Sequence, residues 1–222
     1  NTETGRRNPT VSNHSYGASY SFDAGSWKMT YRGVTFDPGR QLTVTELQDR
    51  GIPTTDADEF SLPAWFTSVQ ADMQDAIDDG IIIIASAGND SWKTVNETDQ
   101  DWSNTYEVQY YGFDYTYFLN RGTGSGAGFN PVINVGATSN NVNEVKAPFS
   151  NCGNQVDIFA AGEGIQSSLH SGGVNDARNS SYQLGKYQGT SMSGPQVAGV
   201  VAILAEAWPN ITQSEAQQWI TD

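Results

Sequence analysis

"IIIIASAGND" (Ile81–Asp90) decides the fold. Four consecutive isoleucines leave no polar face to turn toward water. β-Branched side chains suit a strand, and a strand apolar on both faces is one buried between two layers. The preceding stretch, "SLPAWFTSVQADMQDAIDDG" (Ser61–Gly80), sets Phe66, Val69, Met73 and Ile77 at helical spacing. Ser61 and Pro63 supply start signals for that helix, and Gly80 supplies a stop. A helix leading directly into a two-faced strand is half of a βαβ crossover, so the sheet is parallel and covered on both sides.

Other segments fit the same sheet. "PTVSNHSYG" (Pro9–Gly17) reads as a short strand ending in a turn, and "PVINVGA" (Pro131–Ala137) and "QVDIFAAG" (Gln155–Gly162) as further core strands. Thr212 opens a capped helix near the end. Residues from about 18 to 61 are rich in Gly, Asp and Thr with interspersed aromatics, and read as a long surface excursion rather than a second domain. Residues 91–130 carry many aromatics and glycines with no clear period, and no internal repeat is visible.

Composition narrows the function classes. The chain has 222 residues, enough for one sizeable core, and a net charge of −14 from 25 acidic against 11 basic residues. That balance argues against nucleic acid and anionic membrane as partners, and suits a soluble protein in salty surroundings. No apolar run approaches membrane-spanning length. Cys152 is the single cysteine, so no intrachain disulfide can form. The opening "NTETGRRNPT" has neither a signal-peptide core nor an initiator methionine, so the expectation is a chain that begins inside a longer translation product or was cut from one.

Chemistry concentrates in "YQGTSMSGPQVAGVVAIL" (Tyr187–Leu204). Taken alone, a serine before Ser-Gly-Pro marks a helix start, because hydroxyls cap orphan N–H groups and proline fits a first turn. Gly189 would admit close approach of another chain. The run from Val197 to Leu204 is apolar all round and predicts a buried helix. A serine at the positive end of such a helix is well placed for anionic chemistry.

Four segments together resemble the subtilisin-like serine peptidases (subtilases). "GTSMSGPQVAG" is close to that family's nucleophile block, Gly-Thr-Ser-Met-Ala-x-Pro-His-Val-Ala-Gly. "ASAGND" is close to its Ala-Ala-Gly-Asn, and "VSNHSYG" to its Asn-x-Ser-Leu-Gly. "NPVINVGATSNNVNEVKAPFSNCGNQVDIFAAGEGIQSS" is similar to its Val-Gly-Ala, Phe-Ser-x-x-Gly and Ala-Pro-Gly-x-x-Ile-x-Ser stretch. The likeness covers most of residues 9–20 and 63–222, with about 18–61 as an insertion. It implies a three-layer α/β fold with a mostly parallel, doubly wound sheet, incomplete here because the portion bearing the family's Asp and His blocks would precede this chain.

The resemblance also implies roles. Ser191 would be the nucleophile, with Asn89 and the Ser191 backbone N–H around the oxyanion. Losing such an asparagine donor costs a subtilisin about 10²–10³ in kcat, and the resemblance carries that magnitude over as an expectation. Ser15, Tyr16 and Gly17 would pair with an extended peptide or protein substrate as an added strand. Ser86, Ala87 and Gly88 would floor a pocket roomy enough for a large apolar or aromatic side chain. Without the resemblance, Gly88-Asn89 reads as a turn. A lipase or esterase reading fails, because Gly189 to Gly194 is one residue longer than G-x-S-x-G.

Departures from the family's pattern carry expectations of their own. His14 lies within the substrate-pairing strand and His170 in a Ser/Gly loop, and neither sits in a His-Gly-Thr block, so both read as ordinary polar histidines. The general base and its orienting acid are expected from a partner, the N-terminal segment of the same precursor, covering apolar faces that this chain alone would expose. The competing class is a catalytically inactive module on the same fold within a larger assembly such as a virion. Gln196 stands where the family has His, and Ala161-Gly162 where it has Ala-Pro-Gly. These departures and the acidic composition resemble phage-encoded subtilases, favouring an extracellular or virion-associated location. Structural calcium is a family possibility, but the acidic groups at Asp56, Asp58 and Glu59, at Asp78 and Asp79, and at Asp99 and Asp101 match no calcium loop and read as solvated surface; no metal ligands are assigned. Of the Asn-x-Ser/Thr sites at Asn13, Asn89, Asn96, Asn179 and Asn210, two fall in the expected site, which weighs against a glycosylating pathway.

Overall fold

A computed structural model describes residues 10–23, 28–40, 42–52, 59–63, 67–110, 112–122, 124–126, 129 and 131–222. The first half holds β1 (Thr10–His14), β2 (Ser19–Asp23), β3 (Lys28–Tyr31), β4 (Val34–Phe36), α1 (Val44–Gln48), β5 (Glu59–Pro63), α2 (Thr67–Asp78), β6 (Ile81–Ser86) and β7 (Thr105–Tyr110). The second half holds β8 (Phe113–Phe118), β9 (Ile133–Thr138), β10 (Ile158–Ala161), β11 (Ile165–Leu169), β12 (Val174–Asp176), β13 (Asn179–Tyr187), α3 (Thr190–Ala207) and α4 (Gln213–Thr221).

The isoleucine run is an inner strand, β6, of a parallel sheet ordered β1-β6-β9-β10. Strand alternation divides it between two cores. Ile82 and Ile84 join Ile133 and Val135 against Val197, Val201 and Ala205 of α3 and Ala216 of α4. Ile83 and Ala85 face the other way, toward Met73 and Ile77 of α2. This three-layer α/β arrangement is the expected fold class. Where β6 lacks a β9 partner, the buried Gln213 side chain substitutes for one: Ile83 N–H donates to its Oε1 at 2.6 Å, and its Nε2 donates to Ile83 O at 3.1 Å.

Three local expectations are corrected. Ser61 and Pro63 do not start the helix, because residues 59–63 pair antiparallel with β2; α2 is described over Thr67–Asp78, and Gly80 follows its end at φ +85°. Phe66, Asp56, Asp58 and Pro9 lie outside the described residues. Helix α3 is not buried all round: Val197 and Val201 face the sheet, but Val200 is 52% and Ile203 68% exposed, since the layers described cover one stripe only. Gly189 is required by its φ of +139° and not by close approach; a Cβ there would meet Asn89 side-chain atoms at ordinary distances of 3.5 Å and more.

The region from about 18 to 61 contributes to a second core. Met29, Leu42, Leu47 and Ile52 pack with Trp92, Tyr106 and Leu119 from the aperiodic stretch after β6, under a sheet ordered β4-β3-β7-β8. Asp101, 2% exposed, is held there by Arg32 at 2.7 Å and Lys93 at 2.6 Å, and Lys93 also pairs with Asp99 at 3.2 Å. Asp99 and Asp101 are thus ion-pair partners rather than solvated acids. Among the described residues, no three His, Cys, Asp or Glu side chains converge as a metal site, and no helix is long and apolar enough to cross a membrane.

Candidate active site

The start of α3 is held from two sides, by the end of β10 and by the residues after β1. Gly189, not Ser191, is the helix N-cap, and no side chain caps it, so the Ser191 hydroxyl is not spent on capping. Gly189 N–H donates to Gly162 O at 2.8 Å, beyond the end of β10. Ser193 Oγ donates to Ala160 O at 3.1 Å. Gln196 Nε2 donates to Ala161 O at 2.7 Å, so the two departures from the family's pattern are hydrogen-bonded to each other. From just beyond β1, Ser15 Oγ donates to Ser191 O at 3.2 Å.

Asn89 approaches from the loop after β6. Thr190 donates to Asn89 Oδ1 twice, from its N–H at 2.8 Å and its Oγ1 at 2.9 Å. An N–H can only donate, so the Asn89 atom facing it must be the carbonyl oxygen. The amide Nδ2, two donors, is therefore turned away from Thr190. Asn151 holds this loop in place: its Oδ1 accepts from Asp90 N–H at 3.1 Å and Trp92 N–H at 2.8 Å, and its Nδ2 donates to Ala87 O at 2.8 Å. Gly88 N–H donates to Thr190 Oγ1 at 3.2 Å, locking loop to helix.

A cleft of about 200 Å3 lies between these elements, lined by Ser15, Tyr16, Gly17, Ser86, Asn89 and Ser191, among others. Gly88 lines it as well, whereas Ala87, 6% exposed, is not among the lining residues. Ser125 N–H donates to Tyr16 O at 2.9 Å. Carbonyls alternate along a strand, so those of Ser15 and Gly17 point to the opposite edge, where Ser191 Oγ donates to Ser15 O at 3.3 Å. That edge can accept an added strand through Ser15 and Gly17, with Tyr16 already paired behind.

The sequence did not mark Thr190, Asn151, Gly124 or Asp90. Gly124 and Asp90 line the cleft, and a Cβ on Gly124 would collide with the Ser86 carbonyl oxygen. Their only signal was a glycine-rich run and a Ser-Asn pair, neither of which names a partner. His14 turns away from Ser191: its Nε2 is hydrogen-bonded to Ser12 Oγ at 3.0 Å and its Nδ1 to Tyr16 Oη at 2.9 Å. Burial lowers its pKa. His170 follows β11. Among the described residues, Ser191 Oγ bonds the Ser15 carbonyl and no histidine.

The model of the subtilase family matches residues 3–222. The chain belongs to the subtilase family. It is 27% identical over 155 residues to subtilisin E of Bacillus subtilis (strain 168), covering 70% of this chain and 31% of that one. It is 29% identical over 143 residues to an extracellular protease of Xanthomonas campestris pv. campestris, covering 64% and 19%. Among solved structures, proteases from Pseudoalteromonas arctica PAMC 21717 superpose with a TM-score of 0.50 at 22% identity, over 84% of this chain and 53% of that one. The subtilase chain thus spans less than half of the length of the subtilisins it matches.

Proposed function

We propose that this chain is the C-terminal portion of a subtilisin-like serine endopeptidase domain. The observation that carries the reading is the orientation of Asn89: with Oδ1 occupied by Thr190, Nδ2 is free to donate at the mouth of a helix whose second residue is Ser191. Ser191 Oγ attacks the peptide carbonyl carbon, forming the Oγ–C bond and placing negative charge on the carbonyl oxygen. Asn89 Nδ2 and the Ser191 backbone N–H, at the positive end of α3, hold that charge. The proton from Oγ passes to a histidine supplied by a segment of the same precursor outside this chain, oriented by an aspartate of that segment. The histidine returns the proton to the leaving amine as the C–N bond breaks. Water then cleaves the acyl ester by the same route.

The companion segment adds at the outer edge of β1, the side of the sheet away from β6, and covers the outer face of α3 around Val200 and Ile203. A fluorophosphonate probe applied to the complete assembly tests the reading. Labelling at Ser191, lost in Ser191→Ala and strongly slowed in Asn89→Ala, is the expected result. An assembly that contains the histidine and aspartate yet takes no label is a binding module on this fold instead. A soluble, stable monomer of residues 1–222 alone would contradict the companion.

A further inference from the structure

Tyr16 forms one side of the cleft, and its ring does not hang free. Its hydroxyl reaches back along β1 to His14 Nδ1 at 2.9 Å, with ring centroids 5.4 Å apart and planes tilted by 32°. His14 Nε2 in turn meets Ser12 Oγ at 3.0 Å. Residues 12, 14 and 16 share one side of the strand; Ser15, bonded to Ser191, belongs to the other. An unrestrained tyrosine at a strand end, 55% exposed as this one is, samples several χ1 wells, some of which would carry the ring across the cleft. The bond to His14 selects the one in which the ring lies back along β1. Burial lowers the pKa of His14, so near neutral pH the imidazole has one donor and one acceptor nitrogen, and a hydroxyl on each side satisfies both.

We infer that His14 is a positioning residue that clamps the Tyr16 ring as a wall of the substrate cleft, and that Tyr16 selects the substrate side chain lying over that face of β1. This rests on the peptidase reading. An extended substrate added along Ser15 and Gly17 projects alternate side chains to the Tyr16 side of the strand. The clamped ring offers them a flat aromatic surface, which favours an aromatic or branched aliphatic side chain over a charged one.

The test uses the complete assembly and two peptides that differ only at the residue facing Tyr16, aromatic in one and alanine in the other. Tyr16→Phe keeps the ring and removes the bond; His14→Leu keeps the bulk and removes both nitrogens; His14→Asn returns a polar atom near the Nδ1 position. The first two variants raise KM for the aromatic peptide by about three- to tenfold, the scale of one lost hydrogen bond. KM rises more than kcat falls, the alanine peptide changes little, and His14→Asn recovers part of the loss. The rate at which a small fluorophosphonate labels Ser191 stays unchanged in His14→Leu. Independently of turnover, the His14 ring titration followed by NMR shifts its midpoint in Tyr16→Phe. Equal KM in wild type, Tyr16→Phe and His14→Leu, or an unmoved His14 midpoint, overturns the clamp. A wild-type assembly whose Ser191 takes no label overturns the peptidase reading, and the NMR midpoint still decides whether the clamp exists.

Discussion

Replacing Asn89 separates the two jobs that the proposed mechanism gives to one side chain. Its Oδ1 accepts from the backbone N–H and the hydroxyl of Thr190, a residue with no exposed surface. In Asn89→Ala the Thr190 N–H and hydroxyl lose their shared acceptor. An unsatisfied buried donor costs about 1–3 kcal/mol, and the hydroxyl bond adds about 1 more, so the expected loss is about 2–4 kcal/mol. For a chain of this size that lowers the melting temperature by about 4–16 °C. Asn89→Asp keeps an acceptor facing Thr190 and places a carboxylate at the positive end of α3, so it should melt within a few degrees of wild type. It has no N–H to offer an oxyanion and repels it, so turnover should fall by at least the about 10²–10³ that a subtilisin loses with its asparagine donor. Calorimetry and single-turnover acylation of the complete assembly measure the two effects separately. An Asn89→Ala variant that melts with wild type, or an Asn89→Asp variant that turns over at the wild-type rate, refutes the assignment of Oδ1 to structure and Nδ2 to chemistry.

Three further outcomes follow from the packing. Gln213→Ala leaves Ile83 N–H and C=O without their side-chain partner inside the core, an expected loss of about 2–4 kcal/mol in chemical denaturation; an unchanged midpoint would show that the strand finds another partner. Gly124→Ala forces a methyl against Ser86 backbone atoms that cannot yield cheaply, an overpacking expected to cost about 1–3 kcal/mol and to distort the cleft, read as a lower melting temperature together with a higher KM for large side chains. In acid, the second core should loosen first: Arg40 pulls Glu46 from 4.5 down to about 2, and Arg32 holds Asp101 below the usual carboxylate range. Both shifts are downward in the folded state, so the stability they supply is present above the unfolded values near pH 4 and is lost as pH falls toward 2. Fluorescence of the buried Trp92 should report that loosening, with Asp101→Asn flattening the acid limb.

The parallel sheet was legible because its evidence is local. Four isoleucines in a row admit one environment, and β6 occupies it with Ile82 to Ile84 at most 1% exposed. The Ser191 and Asn89 blocks were legible as motifs, and the cleft unites them with Ser15 to Gly17. The second core was not legible, because Met29, Leu42 and Leu47 find their partners in Trp92, Tyr106 and Leu119, far along a chain stretch without period. Ser61 and Pro63 misled because pairing with β2 overrides local start signals. The outer stripe of α3 misled for a different reason: hydropathy records how apolar a helix is and not how many layers are present to cover it.

The cleft joins parts of the chain that lie far apart in order of synthesis. Ser15 and Ser191 are separated by 176 positions, and Asn89 and Thr190 by 101. Such distant pairings form late, because each long loop must close before its contacts reward closure. Whatever chemistry the cleft performs is therefore withheld from a half-made or half-folded copy. Emerging chains can crowd one another on the way to the native state without any of them being armed.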